Sequence, residues 1–416
     1  MSVLARLWAS RRERPWLVAG VALFLVALLL HPLVDAWLRA AGVAPPIRAF
    51  DFGTYLEGVE RWRTGGTVYR RSEGGGFHGT FLYPPVVLLL LRPFDAVPFR
   101  TAHLLWSGGG LVVLWVGLQL AADEFGADLA PVDRVVLLFA LVGFQPLLLA
   151  LKMGQTAGLL AGLLALALWL LRRGERRDGR RARVASGALT AAVCVVKPAY
   201  APVCAHLLAD RDRFAGGVAA VGALAAVSLA AFGLEIHRTY LEVLAWGVAG
   251  GGPLRQPALW LAPYFRPLFV LRGEALALRV GGSLAVAALA VAAGRADADH
   301  LAFALGVAAM PLLTPLPYTY YLVAALPAAL VCLAVEAGRG RDGHPLAAVA
   351  ALACLHAHAY GLKLAVSVLP EAGPAVHGLL QPGLWGVLVL VGVAAAAALR
   401  ATLDARSVPA TLRDAT

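Results

Sequence analysis

The chain has 416 residues, 60% of them hydrophobic and 15% charged, with a mean hydropathy of +0.74. Soluble domains are nearer half apolar and a quarter charged, so composition excludes a soluble enzyme, and long Ala/Leu/Val runs without ten-residue alternation exclude a β-barrel. The formal charge of +11 lies in short Arg-rich stretches between apolar runs, the positive-inside pattern, with no aromatic-interleaved basic patch, which excludes a nucleic-acid partner.

Residues 1–14 carry Arg6, Arg11, Arg12 and Arg14 against Glu13 and read as a cytoplasmic N-terminus. The apolar run from Trp16 to Trp37 is long for a signal peptide and more spans follow, so it reads as a retained anchor. The first extracytoplasmic loop then occupies residues 39–83, and its polar stretch AFDFGTYLEGVERWRTGGTVYRRSEGGGFHGTFLYPP ends at Pro85. A second span is expected from Pro84 to Val97 and a third from Ala102 to Ala121; the acidic AADEFGADLAPVD after it reads as an outer loop. The apolar stretch Arg134 to Leu171 is interrupted at Gln145-Pro146 and at Lys152-Met153-Gly154-Gln155, and ends in RRGERRDGRRAR (172–183), the strongest cytoplasmic marker. Between an outer acidic loop and this inner one the chain must cross an odd number of times, once with an excursion or three times with short helices.

Val184 to Leu208 has Arg on both sides and Lys197-Pro198 in its middle, as for two short helices meeting there. Broken backbone at membrane depth is tolerated only against protein or a water-filled cavity, so two such breaks imply a polar cavity. The span Ala215 to Phe232 leads into a second large extracytoplasmic loop, 234–270, whose Trp246, Trp260 and Tyr264 suit a helix at the membrane interface. Further spans are expected from Ala275 to Ala293, up to Pro311, and over Leu322 to Val335, Leu346 to Leu369 and Gly383 to Leu399. The turn TPLPYTYY (314–321) is read as outer, GRGRDGH (338–344) as inner, and 401–416 as a cytoplasmic tail. Residues 15–400 thus form one all-α polytopic membrane domain of about 10–14 transmembrane helices, some short or broken.

Asp51 leads the candidate catalytic groups: a carboxylate at the mouth of a bundle can take the proton of an attacking hydroxyl, although Asp51-Phe52-Gly53-Thr54 also fits a helix cap. Lys152 and Lys197 lie within apolar segments beside helix breaks, where an ionisable group points to function and a cation suits a phosphate; Lys363 reads as packing or snorkelling. His356 and His358, two apart, do not share a helix face, so a helical metal pair is disfavoured. The cysteines at 194, 204, 332 and 354 fit no zinc spacing and read as apolar filler. No P-loop is present, and the glycine run at Gly74-Gly75-Gly76 is flanked by no strand or helix start of the kind a GxGxxG nucleotide fingerprint needs, so a sugar donor would be membrane-borne.

DFGTYLEGVERWRTGGTVYR followed by FLYPPVVLLLLRPFDAVPF resembles the opening of glycosyltransferase family 87, as do Pro146 with Gly154-Gln155, Lys197-Pro198, and Pro311 to Pro315 with Tyr320-Tyr321. The resemblance spans about residues 15–335. It implies a GT-C fold and inverting transfer on the extracytoplasmic face from a polyprenyl-phosphate sugar, mannose or arabinose, to a glycolipid or glycan; nothing in the sequence calls for a cofactor or a metal. It puts the general base at Asp51 and substrate-binding positions at Tyr55, Tyr83, Gln155, Lys197 and Tyr320; Arg255 or Arg266 is expected to assist at the phosphate. A Ser-Trp-x-His type motif carried by many members is replaced here by Leu316-Pro317-Tyr318-Thr319-Tyr320, which departs from the family pattern. The rival reading is a transporter or flippase of lipid-linked sugars, whose sites also sit at broken helices.

Overall fold

The computed structural model describes residues 2–42, 49–73, 76–77, 79–177, 179–249, 264–271 and 273–407, to which every count below refers. In chain order the helices are α1 (Val3–Ala9), α2 (Pro15–Ala40), α3 (Phe50–Arg63), α4 (Val86–Leu91), α5 (Phe99–Glu124), α6 (Pro131–Gly143), α7 (Gln145–Met153), α8 (Ala157–Arg177), α9 (Arg180–Val196), α10 (Arg211–Val248), α11 (Ala275–Arg295), α12 (Asp299–Leu313), α13 (Leu326–Gly338), α14 (Pro345–Val368), α15 (Pro374–Leu379) and α16 (Pro382–Ser407). A 3₁₀ segment over Pro198–Ala209 continues from α9, and another, Thr319–Ala325, leads into α13. The sole β-pairing is an isolated bridge between Tyr264 and Tyr318.

Eight helices are long and apolar enough to cross a membrane, and the pair α6–α7, bent by 67°, makes a ninth candidate. The shorter α9, Pro198–Ala209 and α12 run between the same two ends of the bundle. The bend falls at Phe144, extended with ψ 112, and Pro146 in the first turn of α7 lacks the N–H that would carry the α6 hydrogen-bond ladder across it. α10 is broken at Gly233, whose φ of 70 and ψ of −177 no helix accommodates. Residues 234–248 turn onto the first polar loop, with Tyr240 against Tyr69 at 5.7 Å between ring centroids and Arg71 on Glu242 at 2.7 Å.

Close helix approach is bought by glycine. On α5, Gly110 and Gly117 face Gly158 and Gly162 of α8, and a Cβ on Gly117 would lie 2.8 Å from the Gly162 carbonyl oxygen. Apolar attraction alone does not associate helices in lipid, so small residues that let backbones meet take that role.

One end of the bundle is a layer of ion pairs. Arg213, 1% exposed, binds Asp299 at 2.6 Å; Arg183 reaches Asp212 at 3.3 Å; Glu336 accepts from Arg339 and Arg400 at 2.8 and 2.9 Å. Within RRGERRDGRRAR, α8 runs to Arg177 and α9 begins at Arg180.

Two expectations are corrected here. Pro84 to Val97 is not a span: α4 has six residues and passes into a short 3₁₀ turn at Arg92-Pro93, too short to cross about 30 Å of hydrocarbon. The acidic stretch after α5 does not lie at the end opposite the Arg-rich turn. Glu124 pairs with Arg176 at 3.2 Å, and Asp133 accepts from the Val3 amide at 2.8 Å, which brings the N-terminus to the same end. With one fewer span before it, the parity difficulty disappears: α6–α7 crosses once and α8 returns.

Candidate active site

The opposite end is organised by two backbone features. Ala49 adopts φ 45, ψ 35 ahead of α3, and its N–H donates to the Lys152 carbonyl at 3.0 Å, tying the start of α3 to the end of α7. Gly154 terminates α7 at φ 70, ψ 35, a conformation that favours glycine. A Cβ there would lie 2.5 Å from Phe52 Cβ, while Trp106 Nε1 donates to its carbonyl at 3.0 Å. The chain thus leaves α7 sharply and presents Gln155 to α3.

Asp51 sits in the first turn of α3, but its side chain makes no cap. Its Oδ2 accepts from Gln155 Nε2 at 2.6 Å. The other side of the same amide, Gln155 Oε1, accepts from the Tyr55 hydroxyl at 3.0 Å and faces the Tyr83 hydroxyl at 3.3 Å. Tyr55 and Tyr83 are 3.0 Å apart at their oxygens, and Tyr83 also meets Thr156 Oγ1 at 3.0 Å. Burial pushes the Tyr83 hydroxyl up to about 12, so it stays protonated. Tyr69 holds the Tyr83 carbonyl at 2.7 Å. Burial also raises the Asp51 carboxyl above its ordinary value, against the opposing effects of the Gln155 hydrogen bond and the Lys197 charge.

Lys197 caps α9 just before Pro198, in extended conformation. Its ammonium donates to the Tyr83 hydroxyl at 3.4 Å and lies over the rings of Tyr321, Tyr320 and Tyr83 at 4.2, 5.2 and 5.5 Å. Aromatic faces hold a cation without neutralising it, and among the described residues no carboxylate comes within 4.0 Å of it. Beyond this cage, Tyr318 stacks on Tyr320 at 5.3 Å between centroids, and the guanidinium of Arg266 covers Tyr318 at 5.0 Å and Tyr264 at 5.2 Å. Arg266 donates to the Pro317 carbonyl, and Arg279 to that of Pro315 at 3.2 Å. Gln381 fixes the Arg266 backbone from both sides: its Oε1 accepts from the Arg266 N–H and its Nε2 donates to the Arg266 carbonyl, each at 2.9 Å.

Asp51, Tyr55, Tyr83, Gln155, Lys197 and Tyr320 are thus gathered in one cluster. Arg266 stands off behind Tyr318, and Arg255 lies outside the described residues. Lys152 is elsewhere: it forms a buried ion pair with Asp35 of α2, which Arg39 also binds at 3.0 Å and Tyr360 at 3.3 Å. His356 accepts from the Gln145 N–H at 3.1 Å, and His358 lies 3.1 Å from the Tyr264 carbonyl, so both are structural partners. Reading the sequence missed Thr156 and Arg279, and gave Tyr321 a place in the resemblance but no part in the site. The run Tyr318, Tyr320, Tyr321 was a usable signal; nothing local marked Thr156 or Arg279.

A family model, Glycosyltransferase family 87, matches residues 81–316, more than half of the chain. The chain belongs to glycosyltransferase family 87. It is therefore a membrane glycosyltransferase of the GT-C class, dependent on a polyprenyl-phosphate sugar, and transport of lipid-linked sugars is set aside as its activity. No curated protein matches the chain. Among solved structures it is similar to ArnT from Cupriavidus metallidurans bound to undecaprenyl phosphate, at 16% identity and a TM-score of 0.38, over 93% of this chain and 78% of that one. It is also similar to ArnT from the same organism in the apo state, at 15% identity and a TM-score of 0.36, over 92% and 77%.

Proposed function

We propose that the enzyme moves mannose or arabinose from polyprenyl phosphate to a glycolipid or glycan acceptor on the extracytoplasmic face, with inversion at the anomeric carbon. The observation that carries this is a carboxylate, Asp51, and a cation, Lys197, with no carboxylate within 4.0 Å among the described residues, joined through Gln155 and Tyr83 at the end of the bundle away from the ion-pair layer. The acceptor hydroxyl loses its proton to Asp51 as its oxygen attacks the anomeric carbon, and the bond to the phosphate oxygen breaks. With Oδ2 engaged by Gln155, Oδ1 is the oxygen that takes the proton. A carboxylate partly withdrawn from water is a stronger base, consistent with the upward shift at Asp51.

The phosphate gains one negative charge as it leaves. Lys197 meets that charge, and its aromatic cage orients the half-buried ammonium. Arg266, with Arg279 beside it, adds positive potential from behind the tyrosine stack. No metal is called on in this scheme. The ion-pair layer at the other end, which includes the Arg-rich turn, is assigned to the cytoplasm with both termini, which leaves the site outside.

The test is sugar transfer in membranes containing the wild type or Asp51→Asn, offered polyprenyl-phosphate mannose or arabinose with a lipid extract. Product from the wild type and its loss in the variant at equal expression support the scheme; undiminished product in the variant removes Asp51 from the chemistry.

A further inference from the structure

The bend that presents Lys197 is bracketed by two cysteines. Cys194 lies in the last turn of α9 and Cys204 in the 3₁₀ segment that follows. Their sulfurs are 3.2 Å apart, with Cys204 donating to Cys194, and Cys194 donating to the Tyr200 carbonyl at 3.3 Å. Tyr200 in turn donates its N–H to the Lys197 carbonyl at 2.9 Å, and its ring packs on Tyr321 at 5.6 Å, one wall of the lysine cage. Both thiols line a cavity of about 510 Å³ with Ala191, Val195, Phe214 and Val218. Phe214 and Val218 are 51% and 56% exposed on the apolar flank of α10, so the cavity opens toward lipid and admits an apolar reagent. The other two cysteines, Cys332 and Cys354, stand on α13 and α14, outside this cavity.

We propose that Cys194 and Cys204 are a reversible disulfide site, oxidised by an apolar organic disulfide, whose closure displaces Lys197. One thiolate attacks the reagent's S–S bond, forms a mixed disulfide and expels one thiolate. The second cysteine attacks the mixed disulfide and expels the other, so the protein loses two hydrogens and the reagent is reduced to two thiols. The cavity supplies the room that the mixed disulfide needs. Closing the sulfurs from 3.2 Å to the bonded distance of about 2.05 Å requires about 1 Å of approach across the bend. It also removes the thiol hydrogen that holds the Tyr200 carbonyl. The consequence for catalysis rests on the role assigned to Lys197; the disulfide chemistry does not.

The full-length chain carrying Cys332→Ala and Cys354→Ala is treated in proteoliposomes with 2,2′-dipyridyl disulfide. Adjacent thiols release two thiopyridones per chain, retain no pyridylthio group, and lower the intact mass by two hydrogens, reversibly with dithiothreitol. Pyridylthio adducts that stay bound, or no reaction at all, overturn the proposal. Sugar transfer by the oxidised protein is expected to fall about a hundredfold, the loss that a 1 Å misplacement can produce, and to recover on reduction. The same chain with Cys194→Ser added is expected not to respond to the reagent in this way. Disulfide formation with unchanged transfer overturns the link to Lys197 alone.

Discussion

Asp51 and Gln155 are separated by 104 positions in the chain and by 2.6 Å in space, and that one hydrogen bond decides which carboxylate oxygen is free. Because Gln155 donates with its nitrogen to Asp51, the amide cannot turn over without setting its own oxygen against the carboxylate. Asp51→Asn keeps the shape and offers Gln155 an acceptor, but it cannot take a proton. Transfer is expected to fall by about a hundred- to ten-thousand-fold. Thermal stability is expected to hold or rise. The folded-state carboxyl is raised above its ordinary value, so its favourable contribution to folding is present at low pH and lost as pH rises through the folded value. Asparagine removes that penalty. A thermal melt in detergent beside the transfer assay checks both.

The pH profile carries a second expectation. A base whose proton affinity is raised puts the acidic limb of kcat/KM above the range of an exposed aspartate. Gln155→Ala deletes a hydrogen bond that lowers the Asp51 value, and Lys197→Met deletes a charge that does the same, so each shifts the limb to higher pH. Loss of activity without a shift of the limb in Gln155→Ala would assign Gln155 to substrate contact alone.

Lys197→Met retains length and apolar packing within the tyrosine cage while removing the charge. Transfer is expected to fall about a hundredfold in kcat, the scale of losing one stabiliser of developing charge. Lys197→Arg is expected to recover little, since the cage of Tyr83, Tyr320 and Tyr321 surrounds a compact ammonium. Single-turnover transfer at saturating donor separates this from weakened donor binding.

The Asp35–Lys152 pair is buried on both sides, with side chains 3% and 8% exposed. Lys152→Met leaves Asp35 with Arg39 and Tyr360 only, and is expected to destabilise by about 3–5 kcal/mol. Asp35→Leu with Lys152→Met removes both charges and is expected to recover most of that loss. A double-mutant cycle by thermal or urea unfolding measures the difference.

The two ends of the bundle give a topological expectation. Single cysteines placed at Asp128 and at Gly179, in a background lacking the native four, are expected to label from the same side of the membrane, and one at Thr64 from the other. Labelling of position 128 with position 64 would contradict the placement given by the Glu124–Arg176 pair.

Much of this was legible because lipid and proline act locally. The long apolar runs, the breaks at Gln145-Pro146 and at Lys197-Pro198, and the clustering of Asp51 with Gln155 follow from helix chemistry and from recurring motifs. What failed was arithmetic on charge. Pro84 to Val97 is apolar enough to suggest a crossing, but Pro84, Pro85 and Pro93 confine it to a short helix whose Val87, Leu88 and Leu91 bury in one apolar cluster with Phe52, Tyr55 and Val59 of α3. That one miscount reversed the side assigned to the acidic stretch. Lys152 was misread for a different reason: its partner Asp35 lies 117 positions earlier, within what reads as an uninterrupted apolar anchor, and only packing brings them together. Gln381 was likewise silent, a lone amide in a short loop that proves to hold Arg266 by its backbone.

The region matched by the family runs from 81 to 316, yet Asp51 and Tyr55 precede it and the grip of Gln381 and His358 on residues 264–266 comes after it. A chimera that exchanges only the matched segment with another member would therefore set one parent's Asp51, Tyr320 and Tyr321 against the other parent's Lys197 and Tyr83, and would loosen the segment that carries Arg266. Specificity swaps in this protein need to move residues 49–407 as a block, because the heritable unit of its active site is wider than the unit of its sequence similarity.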